Sequence, residues 1–201
     1  MEVNNKLSGI HLPVLEQIQI LEQILRLNSK LMELLEILEK DGIQNCYVAA
    51  GAINQTVFNY YHGYSIDYGI KDYDIVYYDQ DLSYEKEDLV IKRLQSKINP
   101  LGILVDIKNE ARVHLWYYDK YGVKRDPYYS VEDAIASWGA TITCIGVRLE
   151  KGKMVIYAPY GFNDLFGMFI RPVKKDFTKE AYDEWASRWM KKWPNLRKQE
   201  W

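Results

Sequence analysis

Residues 69–81 read GIKDYDIVYYDQD and set Asp72 and Asp74 one residue apart, around a run, Tyr73–Tyr78, that otherwise has the character of a buried strand. Side chains alternate across a strand, so both carboxylates point to one side, with Cα atoms about 6.6 Å apart. Burying charge is costly unless it is paired. A chain that sets two acids on one face of a core strand therefore has a use for that face. Downstream, residues 102–118 (GILVDIKNEARVHLWYY) hold a second apolar run, Ile103–Ile107, again interrupted by an acid, Asp106. Between the two, Tyr84–Ile98 carries Leu89, Ile91, Leu94 and Ile98 with helical spacing. Strand, helix and strand predict a mixed α/β (α+β) sheet. If the two strands lie close in that sheet, three carboxylates converge.

Three bare carboxylates about 5 Å apart repel by about 3 kcal/mol per pair at an effective dielectric of 20. Such a trio calls for a positive charge, and hard carboxylate oxygens suit Mg²⁺ or Mn²⁺. Just upstream, NCYVAAGAINQTVFNYYHGY (45–64) reads as a strand, Cys46–Ala50, a turn at Gly51, and a helix, Ala52–His62, stopped by Gly63. The N–H groups at such a helix start form an anion site. A phosphate-binding turn, an Asp-x-Asp and a third Asp are together the equipment of metal-dependent phosphoryl or nucleotidyl transfer. Taken alone, the Asp-x-Asp also fits a solvated strand edge.

The wider composition agrees with a small ligand. The 201 residues carry a net charge of −2, which gives no global field for a large duplex nucleic acid. Cys46 and Cys144 form neither a disulfide framework nor a zinc spacing, no span has the length of a membrane helix, and no signal-peptide pattern opens the chain. A cytoplasmic protein is expected. Residues 1–42 read as an N-terminal helical segment running from Pro13 to about Lys40, broken into a hairpin if Asn28-Ser29 interrupts it. Residues 43–172 read as the core and 173–201 as a C-terminal helix and tail, all in one domain.

Gly51, Asp72-Tyr73-Asp74-Ile75 and Val105-Asp106-Ile107 resemble the three motifs of the DNA polymerase beta-type nucleotidyltransferase superfamily. The blocks AGAINQTVFNYYHGY, YDIVYYD, DIKNEARVHLWY, AIASWGATITCIGVRL and APYGFNDLF, with Arg171-Pro172 beyond, are similar to a bacterial nucleotidyltransferase-like family, from about Tyr47 to Pro172. The resemblance implies the mixed twisted sheet of that superfamily, a nucleoside triphosphate as substrate and an acceptor of unstated kind: a small molecule, an RNA end or a protein. It implies that Asp72 and Asp74 hold two metal ions, Mg²⁺ or Mn²⁺, that bridge the triphosphate. Asp106 holds the catalytic ion and helps activate the attacking hydroxyl. Gly51 and the amide of Ala52 cradle the β and γ phosphates. The superfamily usually has Gly-Gly or Gly-Ser at that turn and commonly Arg-Asn where this chain has Asn54-Gln55. Phosphate contact therefore rests on backbone N–H groups, helped by Asn54, Gln55 or Thr56. A nucleotide sensor without turnover is the alternative that the altered turn supports.

Lys108 shares a face with Asp106 on an extended segment, placed to neutralise phosphate or to screen the acids, and Arg112 is a fork for phosphate or carboxylate. Asn109 stands between them. His114 reads as a satisfied structural histidine and His62 as a cation at a helix C-terminus. Ser130 is expected to cap a helix over Val131–Trp138, and Gly152 to turn a hairpin. Asn163 and Asp164 would open a further helix, and Phe169–Pro172 would form an edge strand. Trp138, Thr141, Thr143 and Arg148 are placed to face a base or an acceptor, although a tryptophan such as Trp138 more often fills the core. Trp185, Trp189 and Trp193 follow at four-residue spacing, with Lys191, Lys192, Arg197 and Lys198 nearby. They form an aromatic stripe that docks a helix or, on a third reading in which the carboxylates are incidental, an RNA or protein surface.

Overall fold

The structure, a computed structural model, describes residues 8–175 and 177–201; residues 1–7 of the expected N-terminal segment and residue 176 of the expected tail lie outside it. After Pro13 come α1 (Val14–Leu25) and α2 (Ser29–Asp41). The break falls at Asn28, whose side chain accepts a hydrogen bond from the Leu31 N–H and so caps α2. There follow β1 (Cys46–Ala49), α3 (Gly51–His62), β2 (Tyr73–Tyr77), α4 (Tyr84–Ile98), β3 (Val105–Asn109), α5 (Val113–Tyr121) and α6 (Val131–Ala136). The chain continues as β4 (Gly146–Glu150), β5 (Lys153–Tyr157), α7 (Asn163–Phe166), β6 (Phe169–Ile170), α8 (Lys179–Lys192) and β7 (Arg197–Lys198).

Five strands form one mixed sheet in the order β3-β2-β1-β4-β5. β2 and β3 are parallel, joined through α4, and the other pairings are antiparallel. One face, carrying Val48, Ile75, Ile107 and Val147, packs on the leucines of α1 and α2, on Ile53, Val57 and Phe58 of α3, and on Leu94 of α4. The other face is covered more thinly, by Tyr47, Ala49 and Val76 against Val131 and Ile135 of α6 and against Cys144. Both cysteines are buried and unpaired. No helix among the described residues is long and apolar enough to cross a membrane.

Several boundaries differ from the sequence-based expectation, each for a local reason. β3 begins at Val105 instead of Ile103, because its partner β2 begins at Tyr73 and Tyr73 is paired with Val105. Leu104, apolar yet exposed, belongs to the approach. The strand stops at Asn109, whose Oδ1 accepts from the Ala111 N–H and whose Nδ2 donates to Asp79 O, so the chain turns into α5. Aromatic residues surround α5 on most sides, which hides its helical period. β6 is an edge strand as expected, but it pairs with β7 in a separate ribbon.

The tryptophan stripe docks the C-terminal helix. Trp189 and Trp193 pack against Phe58, and the Trp193 indole N–H donates to Asn59 Oδ1 at 2.8 Å. Trp193 lies one residue past the end of α8. Of the basic residues nearby, Lys198 is paired with Asp183 and Lys192 lies over the Trp193 ring. His62 lies in the last turn of α3, with Nδ1 against the carbonyl of Phe58 and Nε2 against the Asn195 N–H.

Candidate active site

Gly146, Ala49, Asp74 and Asp106 are successive Cα partners across β4, β1, β2 and β3. Residues in one such row point to the same face, and neighbouring strands lie about 4.8 Å apart. Asp74 and Asp106 therefore stand side by side on the thinly covered face and line a cavity of about 600 Å³. Asp72 lies one residue before β2 and is exposed. Its charge reaches Asp74, but it is not among the residues that line the cavity. Among the described residues no three acidic, histidine or cysteine side chains close into a group that would by itself hold a metal ion.

Burial dominates the electrostatics of the pair. It pushes the Asp74 carboxyl up to about 6; Lys108 opposes that rise, and Asp72 and Asp106 add to it. The Lys108 ammonium forms an ion pair with Asp106 Oδ2. Burial works against the Lys108 charge, yet the bond and the attraction of Asp106 outweigh it and hold the ammonium above its ordinary value. One step further along the same side of the chain stands Glu110, 4% exposed and pushed by burial up to about 7. It also lines the cavity.

The start of α3 adjoins this row, since Ala49 is the partner of Asp74. The turn itself is made by Ala50, not Gly51. Ala50 has φ 50° and ψ −118°, a backbone that a residue with a Cβ rarely adopts. Strain is thus held at the cavity wall, where β1 passes into α3. Gly51 is the first helical residue, and the N–H groups of Gly51 and Ala52 have no acceptor within the helix, whereas those of Ile53 and Asn54 bond Ala50 O. The amide nitrogen of Gln55 lies 2.9 Å from where a Cβ on Gly51 would be, so it hangs over this first turn.

Other expected ligands lie elsewhere. Thr56 is fully buried, donating to Ala52 O and accepting from Asn28 Nδ2. Asn54 is equally buried and donates to Ile142 O; its Oδ1 finds no partner among the described residues. Both point into the protein because they occupy the core face of α3, leaving Gln55 as the polar side chain near the turn. Arg112 turns away from the cavity to α4, where it pairs with Glu87 and donates to Leu82 O. Thr141 is bound to Asp164, which Arg171 also holds, and Arg148 pairs with Glu150 over the Tyr47 ring. His114 Nδ1 is buried without a partner among the described residues, so it is not the satisfied histidine expected.

Trp138, Thr143 and Trp185 do line the cavity, joined by Trp116 and Tyr117 of α5 and by Arg125, which the sequence reading passed over. Glu110 was missed too. The alternation Asp106, Lys108, Glu110 was its signal, since it continues the face that carries the third aspartate.

A family model described as "Nucleotidyltransferase" matches residues 36–198. A solution structure reported to reveal "a CCA-adding enzyme head domain" is similar at 25% identity, covering 91% of this chain and 96% of that one, with a TM-score of 0.72. No curated protein matches the chain. With its five-stranded mixed sheet, the α/β fold is that of a nucleotidyltransferase head domain, and the chain belongs to the nucleotidyltransferase family.

Proposed function

We propose that the chain transfers a nucleoside monophosphate from a nucleoside triphosphate to an acceptor and releases pyrophosphate. The observation that carries this reading is the sheet row that seats Asp74 beside Asp106, next to the start of α3. The donor set suits Mg²⁺ or Mn²⁺: Mg²⁺ usually takes one or two carboxylates and completes its shell with water and substrate phosphates, so no closed cage of three side chains is required. Asp74 and Asp106 would hold the ions, two in this reading, with Asp72 at the rim. Bound there, the metal would neutralise phosphate charge and polarise the reacting phosphoryl group.

The chain's own residues then have defined tasks. The free N–H groups of Gly51 and Ala52, with the Gln55 amide, bind the β and γ phosphates. Asn54, Thr56 and Arg112 have no part in this, because their side chains are committed elsewhere. Asp106 takes the proton of the acceptor hydroxyl as its oxygen bonds to the α-phosphorus. The bond from that phosphorus to the bridging oxygen breaks, its electron pair leaving with pyrophosphate. Trp116, Tyr117, Trp138 and Trp185 offer faces on which a base can stack.

The likeness to a CCA-adding head domain makes an RNA end the first acceptor to try, ahead of small molecules and proteins. Two buried, unpaired thiols suit a reducing cytoplasm. A cluster of buried side chains joins α1 and α2 to α8, which supports one functional unit.

The test is incubation with each nucleoside triphosphate, labelled at the α-phosphate, with Mg²⁺ and the three acceptor classes. Transferred label with release of pyrophosphate, abolished by a chelator, is expected. Tight binding of the magnesium nucleotide with no label transferred would instead favour a sensor without turnover, the reading that Ala52 in place of Gly or Ser supports. Failure to bind any nucleotide contradicts both.

A further inference from the structure

We propose that Lys108 is a resident cation that closes the carboxylate site, and that Glu110 receives its ammonium when a divalent cation is held by Asp74 and Asp106. This inference rests on the metal-dependent reading above and goes beyond it by giving the site an internal competitor. Three observations carry it. The Lys108 ammonium is bonded to Asp106, where an incoming cation would be held, and it is also attracted by Asp74. The Lys108 side chain keeps 32% of its surface exposed, so it has room to move. Glu110, nearly fully buried, lines the same cavity, and its carboxyl has no hydrogen bond or ion pair with a described residue; Lys108 and Arg125 attract it from a distance.

The Glu110 carboxyl opens onto the cavity from a residue of low exposure, where a charge without a partner is costly. A lysine ammonium displaced from Asp106 would supply that partner. Residues 106, 108 and 110 follow one side of the chain at steps of about 6.6 Å, within the sweep of a lysine side chain pivoting from its own Cα. Swinging Lys108 from Asp106 to Glu110 exchanges one ion pair for another and needs no backbone change. Arrival of the cation thus costs the protein no bare ammonium and no bare carboxylate.

Mn²⁺ binding, read by the electron paramagnetic resonance of the free ion, tests this on the full chain with no nucleotide present. Removing the internal competitor in Lys108→Met, or in the shorter Lys108→Gln, is expected to tighten Mn²⁺ binding about tenfold. Glu110→Gln is expected to weaken it severalfold while Lys108 is present. In the double variant Lys108→Met, Glu110→Gln that loss shrinks to less than about twofold, because no ammonium remains to be received. Melting curves confirm that each variant is folded. Unchanged or weaker binding in both Lys108 variants overturns the proposal. So does a Glu110→Gln loss that persists in full without Lys108, since Glu110 would then be a direct ligand. Absence of Mn²⁺ binding in every protein, the parent included, defeats the metal-dependent reading itself, and the switch with it.

Discussion

Asp74→Asn is expected to lower nucleotidyl transfer by at least about 10³-fold while making the metal-free protein more stable at neutral pH. Loss of activity follows from its place in the row: removal of its charge leaves Asp106 as the only cavity-lining aspartate among the described residues. The gain in stability follows from burial. Folding moves the Asp74 carboxyl from 3.8 up to about 6, so the folded state binds its proton more tightly than the unfolded chain. For such a group the stabilisation is fully present below about pH 4 and is lost as pH rises through about 6. At 1.36 kcal/mol for each tenfold change, the ionised carboxylate costs about 3 kcal/mol at pH 7. Asparagine does not ionise, although its amide must still be accommodated, so a gain of about 1–2 kcal/mol is expected, a few degrees in Tm for a chain of this size. Melting curves in chelator, from pH 4 to pH 8, check the sign: the advantage of the variant should be near zero at the acid end and largest above pH 7. An advantage that shrinks as pH rises contradicts this account of Asp74, as does a variant that transfers label at the parental rate.

Trp193→Ala is expected to be the most destabilising of the single changes considered, by about 4 kcal/mol. The indole is fully buried, with its ring among those of Phe58, Tyr68 and Trp189 at centroid distances of 5.7, 6.2 and 5.7 Å. Its loss opens a large cavity and strips Asn59 Oδ1 of its donor in a buried setting. The effect extends toward the site, because Asn59 also holds the loop that precedes β2 through bonds to Ile66 O and Tyr68 O. Urea unfolding measures it. A loss under about 1 kcal/mol would mean that the stripe is not what docks the C-terminal helix.

Much of the fold is legible in the sequence because it rests on local chemistry. Asn28 breaks the N-terminal segment by capping α2, and Gly63 ends α3 in the left-handed conformation its type allows. The α4 crossover follows from helical spacing between two apolar runs. Features that depend on pairing were less legible. The true start of β3 is set by the residue opposite, Tyr73, and nothing within Ile103–Ile107 marks it. α5 escaped because tryptophan and tyrosines around its circumference blur the period that a helix otherwise shows.

The site divides along the same line. Asp74, Asp106 and Lys108 share a cavity because alternation and register are periodic and therefore readable. Asn54, Thr56 and Arg112 looked equally suited by residue type. Their side chains face the core or α4, a property of tertiary packing that spacing does not encode. Ala50 gave no sign in the sequence of carrying the strained turn, since alanine is not a residue that favours positive φ.

The central claim is that Asp74 and Asp106 together hold the divalent cation that carries the triphosphate. Crystals grown with Mn²⁺ and a non-hydrolysable nucleoside triphosphate analogue, measured at the manganese absorption edge, test it most directly. An anomalous peak between the two carboxylates, with the phosphates reaching the first turn of α3, is the result expected. Manganese and nucleotide bound elsewhere, or nucleotide in the cavity with both carboxylates bare, would contradict it.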